Sequence, residues 1–191
     1  MANQSTTGFG LRPLGKIGQN DNNAGLSEWS VAASSAAMYH HDMVMLTGDG
    51  VVLKSTDSAA NNLGSLNGVF YTDATTSKPT WANWSKGSNT ATDITALVNS
   101  DPAQIFEIRN ATSTLAVDDV GGTSKIVIVV GAAPNYVSRT TLYDTAGTAA
   151  DQLKLLGVSR DAQNQDPSEN GCIWRVQIYK HILGNICAAG I

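Results

Sequence analysis

The chain has 191 residues, 42% of them hydrophobic and only 15% charged, with a net charge of −4. That length suits one compact domain, or one domain with extensions. The twelve Lys and Arg residues are scattered, which excludes the clustered cationic surface that nucleic acid requires, and no apolar run approaches the ~18 residues of a membrane span.

The opening "MANQSTTGFG" has neither the basic start nor the apolar stretch of a secretory signal. Synthesis and use in solution are therefore expected, with Cys172 and Cys187 as free thiols in a reducing compartment. Next comes "TGFGLRPLGKIGQNDNNAG", too rich in glycine for a helix and too poor in apolar residues for a core strand. It is not a phosphate loop, because Gly15-Lys16-Ile17 lacks the hydroxyl that holds magnesium and no strand precedes it. The reading is an extended N-terminal arm over residues 1–25. Phe9, Leu11, Leu14 and Ile17 supply apolar contacts, while Pro13 fixes one extended residue and biases Arg12 to another. The arm lies either on a neighbouring subunit or on its own domain as an edge strand, and the neighbour is the expectation.

From residue 26 onward the pattern is β-rich. A helical turn is the reading for 33–40, and "HHD" at His40, His41 and Asp42 is a turn feeding the strand that follows. Adjacent histidines on a strand point to opposite sides, so the trio does not predict a metal site. "MVMLTGDGVVLKS" (43–55) is a hairpin across Gly48, Asp49 and Gly50. Residues 54–67 read as a long polar loop before the strand "GVFYT" (68–72), and 73–92 as a second one. In that second loop, Trp81 and Trp84 either anchor an interface or ligand, or fold back to plug the end of the domain. "QIFEIR" (104–109) alternates, with Phe106 and Ile108 on one face and Glu107 placed for a cross-strand ion pair. "KIVIVVG" (125–131) is apolar on both faces and reads as a central strand. A second helical turn is expected near 145–151. "QLKLLGV" (152–158) is a strand with a bulge at Gly157. "CIWRVQIYKHIL" (172–183) sets Cys172, Trp174, Val176 and Ile178 against Arg175, Gln177, Tyr179 and His181. Glutamate occurs only three times, while Thr, Ser, Asn and Gly abound, a bias toward strands and turns. The expected fold is all-β, a single barrel or sandwich spanning 26–191 with long polar loops.

Chemistry is sparsely signalled. No G-x-S-x-G nucleophile elbow occurs, Cys172 alternates into an apolar strand face, and no pair of carboxylates is singled out for acid–base work. The expectation is a protein without catalytic residues, cofactor or metal.

Several segments together carry a resemblance: "GFGLRPLGKIG", "YHHDMVML", "SDPAQIFEIR", "QLKLLGV", an Asn- and Asp-rich loop and the final "CIWRVQIYKHIL". In this order they resemble the capsid decoration, or cement, proteins of tailed bacteriophages of the marine and cyanobacterial type. The likeness spans most of the chain outside 54–100. It implies a virion protein on the outer surface of an icosahedral head, made in the host cytoplasm, that bridges neighbouring major-capsid subunits as a homotrimer. Phe9, Leu11, Arg12, Pro13, Leu14, Ile17, Trp81 and Trp84 are the candidate interface residues. The alternatives are a tail, fibre or head–neck protein, or a carbohydrate-binding β-sandwich module using Trp81 and Trp84.

Overall fold

The structure, a computed structural model, describes residues 7–17, 25–32, 35–87, 89–111, 115–143, 151–160, 164 and 166–184. They form antiparallel sheets with no α-helix among the described residues, only a single 3-10 turn at Val117–Asp119. No barrel closes among the described residues, and the architecture is consistent with a β-sandwich. The first sheet takes β1 (Arg12–Lys16), β8 (Gln104–Arg109), β13 (Ile173–Ile178), β12 (Leu153–Val158) and β9 (Thr123–Ser124), in that order. The second takes β2 (Leu26–Ser30), β7 (Thr95–Asn99), β5 (Asn62–Thr72), β3 (Met43–Leu46) and β4 (Val52–Lys54), with β6 (Pro79–Ala82) also paired to β5. A two-stranded ribbon joins β10 (Ile126–Val127) to β11 (Thr141–Leu142).

Each sheet builds an apolar cluster of its own. On the first, alternation in β8, β12 and β13 sends Phe106, Ile108, Leu153, Leu155, Trp174 and Val176 to one side, where Leu11, Leu142 and Met43 join them. On the second, Val44, Leu63, Leu66, Val69, Ala96 and Val98 do the same. The adjacent Met43 and Val44 of β3 belong to different clusters, so β3 is shared between them. The bulge foreseen at Gly157 is present as a register shift between Leu155 and Gly157. The hairpin 43–55 also forms, with Gly50 at φ +73° in its turn, a conformation glycine adopts without steric cost.

Several expectations are corrected. Residues 54–67 are a loop only over 55–61, because β5 runs for eleven residues from Asn62. Its polar side chains are buried and paired: Ser65 Oγ donates to the Leu11 carbonyl at 2.6 Å, and Ser55 Oγ donates to Asn62 Oδ1 at 2.7 Å. Polarity there marks a hydrogen-bonded interior position, not solvent. The stretch 73–92 likewise contains β6, reached through a turn in which Asp73 accepts the Thr75 and Thr76 amides at 3.0 and 2.8 Å. "KIVIVVG" supplies only the two residues of β10, and Val129 and Val130 are 39% and 61% exposed. Residues 35–40 are not helical, and the second expected turn, near 145–151, lies mostly outside the described residues.

The N-terminal stretch is corrected in part. Arg12–Lys16 is the edge strand of the first sheet, paired with β8, and Leu11 is fully buried in that sheet's core. The described part of the arm therefore covers its own domain, while residues 1–6 and 18–24 lie outside the described residues.

Candidate docking surface

On β1 the predicted interface residues separate by local geometry. Leu11 is buried and cannot reach a partner. Arg12 donates to Glu107 across the strand pair at 2.5 Å, the cross-strand ion pair expected of Glu107, and its guanidinium carbon lies 4.7 Å from the Phe9 ring centroid. Phe9 and Pro13 are half-buried. A register shift between Pro13 and Gly15 bulges Leu14 outward, leaving it 53% exposed, with Ile17 at 49%.

The two tryptophans go to different environments. Trp84 lies parallel to Tyr136, with ring centroids 4.2 Å apart, and to Tyr39 at 6.0 Å. This stack clips together three loop segments, also joined through the Met38–Ser85 and His40–Val137 bridges. The role of Trp84 is thus internal. Trp81 sits on β6 opposite Phe70 of β5, and the two are 55% and 46% exposed. Its indole lies over Gly68, where an added Cβ would fall 2.9 Å from Cζ2. Glycine is what lets the ring rest on the strand backbone. A carbohydrate platform of both indoles is not formed, because one of them is committed to the tyrosines.

Trp81 and Phe70 belong to a continuous face. Val69, Ala82, Ala96, Val98 and Trp29 turn toward the second core, so Phe70, Trp81, Thr95, Leu97, Glu28 and Ser30 turn away from it. At the rim of this face β2 is an edge strand. Val31 donates its amide to the Ile94 carbonyl at 3.0 Å, so by the alternation of an antiparallel ladder the backbone groups of Ser30, Glu28 and Leu26 point away from β7. Past Ser30 that side is taken by a parallel bridge from Val31 to Val52 of β4, which leaves Leu26 and Glu28 without a second strand among the described residues. The face is apolar at its centre and weakly charged at its rim, and it borders this unpaired half of β2. Sequence reading missed Phe70 and β2; the signal was the run Val69, Phe70, Tyr71, in which one residue must face away from the core.

The remaining polar clusters are knots of structure. Asp42, 1% exposed, accepts the Tyr39 amide at 2.9 Å and the Ser138 hydroxyl at 2.5 Å, and pairs with Lys54 at 2.9 Å. His40 and His41 do not point apart: His41 has φ +67°, and the two rings lie 3.9 Å apart between centroids. That left-handed residue breaks the strand alternation assumed from sequence. His181, expected on the outer side of β13, is 5% exposed, because the strand ends at Ile178 and the chain turns to bridge Asn62. Burial holds the His41 and His181 pKa values down at about 4, with His40 adding to the effect at His41. Cys172 is a buried free thiol whose pKa burial raises to about 11, which suits packing and not nucleophilic chemistry; Cys187 lies outside the described residues. No group of three or more His, Cys, Asp or Glu side chains suited to a metal ion is found among the described residues. A cleft of about 380 Å³ beside β10 holds Lys125, Asp57 and Tyr143, with the Lys125 ammonium 4.6 Å from the Tyr143 ring centroid.

Comparison of the chain with protein-family models, with curated proteins and with solved structures returned no match in any of the three.

Proposed function

We propose that this chain is a non-enzymatic structural subunit that docks on the outer surface of an icosahedral phage head and cements neighbouring major-capsid subunits, acting as a homotrimer. The observation that carries the docking role is the exposed Phe70–Trp81 pair, held on a sheet over Gly68 and on the same face as Glu28 and Ser30 of β2. Exposed aromatics fixed in place lose little conformational freedom on association and bury much apolar area, the character of interface hot spots. The weakly charged surface suits many modest polar contacts with trapped water, summed over symmetric copies by avidity. The resemblance of the sequence segments to phage decoration proteins selects the head as the assembly.

The test has two parts. Immunogold labelling and peptide mass spectrometry of phage particles from the source of the sequence should place the chain on heads. The double variant Phe70→Ser, Trp81→Ser should keep its melting temperature but be lost from those heads on washing. Label on tails alone would refute the capsid assignment; unchanged retention of the variant would refute the surface. Light scattering of the purified protein should give three copies, and a monomer both in solution and on the head would overturn the trimer.

A second reading, a carbohydrate-binding module, is favoured by one observation: Trp81 rests against Gly68 with much of its surface open. Quenching of tryptophan fluorescence by oligosaccharides, abolished by Trp81→Ala, would support it over the first.

A further inference from the structure

The segment Thr7–Leu11 is a strap laid across the body of the domain, and it is held from one side by His41. The Gly10 amide donates to the Thr140 carbonyl at 3.1 Å and the Leu11 amide to the His41 carbonyl at 2.9 Å. Gly8 and Gly10 pack so closely on Arg139 and His41 that an added Cβ would lie 2.2 Å from either carbonyl oxygen. His41 Nδ1 is buried without a partner among the described residues, and although the Phe9 carbonyl favours the protonated ring, burial outweighs it. The His41 amide in turn donates to the Leu66 carbonyl at 2.8 Å, and His40 Nδ1 lies 2.7 Å from the Asn67 carbonyl. Strap, histidine pair and β5 are therefore one stack of contacts.

We propose that His41, packed beside the His40 ring, is an acid-sensitive latch, which holds this strap closed while neutral and loosens it on protonation. A proton on His41 would leave an N–H on the buried Nδ1 with no acceptor among the described residues, beside the His40 ring whose centroid lies 3.9 Å away. The other charged groups around the pair do not relieve this. Arg12, on the strap side, is itself a cation and already engaged by Glu107; Asp42 is engaged by Lys54; Arg139 lines the strap at Gly8. Opening the strap frees the His41 ring to water, so the opening equilibrium takes up a proton. The burial of Leu11 opposes full release, which makes the expected response a rise in the open population and not loss of the fold. The latch is independent of the docking role proposed above.

Amide hydrogen exchange on the full chain, corrected for the intrinsic pH dependence, tests it. With the His41 pKa moved from 6.5 to about 4, protection at Gly10 and Leu11 should fall roughly thirtyfold between pH 7.5 and 5.0. In His41→Asn, which tolerates the left-handed backbone and cannot titrate, the fall should be less than about threefold. A wild-type fall below about threefold overturns the proposal. So does an equal fall in wild type and variant. So does exchange of the strap amides at the same rate as those of Trp174 and Val176 in β13, which would mean that the strap never opens separately. If His41→Asn fails to fold, the wild-type criteria decide alone.

Discussion

Asp42 is the buried charge on which three segments depend, and its removal gives a calculable loss. The carboxylate is 1% exposed and satisfies the Tyr39 amide, the Ser138 hydroxyl and the Lys54 ammonium at 2.9, 2.5 and 2.9 Å. Asp42→Asn keeps the shape but turns one acceptor oxygen into a donor, which must face Ser138, whose hydroxyl then accepts in place of donating, since the Tyr39 amide and the Lys54 ammonium can only donate. It also leaves the Lys54 ammonium, whose side chain is only 13% exposed, without its counter-charge. Breaking a buried pair from one side costs about 3–5 kcal/mol. Lys54 retains some access to water, so about 3 kcal/mol is expected here. At a urea slope of about 2–3 kcal/mol/M, the unfolding midpoint should drop by about 1–1.5 M. The double variant Asp42→Asn, Lys54→Met removes the orphaned charge and should recover about half of that loss, about 1.5 kcal/mol, and so be less destabilised than the sum of the two single variants. A loss below about 1 kcal/mol for Asp42→Asn, or strict additivity in the double variant, would refute the assignment of Asp42 as a buried electrostatic tie.

Acid should destabilise the domain through its buried histidines. The His181 pKa is about 4 in the fold against 6.5 unfolded, so unfolding takes up a proton between those values; the stability is full above pH 6.5 and is lost as pH falls toward 4. Each histidine so placed costs about 2 kcal/mol at pH 5, and His181→Gln should flatten about half of the decline in melting temperature that His41 and His181 cause together. A melting temperature that holds or rises from pH 7 to 5 would contradict this. Two glycines should part company on substitution. Gly64→Ala would put a Cβ 2.0 Å from the Asn99 carbonyl oxygen and should cost about 3 kcal/mol or more, whereas Gly15→Ala meets nothing within 4 Å and should stay within about 1 kcal/mol in chemical denaturation.

Local alternation was legible in the strands buried on one face. In "CIWRVQI" and "QIFEIR" the side chains facing the core are the ones that period two assigns, because each strand has an apolar neighbour on one side only. It failed in β5 and at 125–131. Asn62, Gly64 and Ser65 look like loop residues until Leu11, Ser55 and Asn99 are placed against them. "KIVIVVG" looks like a central strand until Val129 and Val130 are seen exposed. Hydrogen-bond partners and neighbours distant in the chain decide both cases, and neither is encoded in a window of a few residues. The candidate surface was half legible. Trp81 was singled out, but its partner Phe70 follows only from the register of β5 with β6.

The sequence by itself determined the all-β class, the weakly charged surface, the hairpin at Gly48–Gly50 and the bulge at Gly157, since composition, period and turn chemistry are local properties. Tertiary structure alone decided that residues 12–16 are an edge strand of their own domain, that Trp84 is locked between loops while Trp81 stays open, and that two adjacent histidine rings pack together on one side. Each of these outcomes rests on a contact between residues far apart in the chain or on a single left-handed residue. Long-range pairing sets which polar groups find partners and which apolar ones remain at the surface, and that balance is a property of the packed chain as a whole.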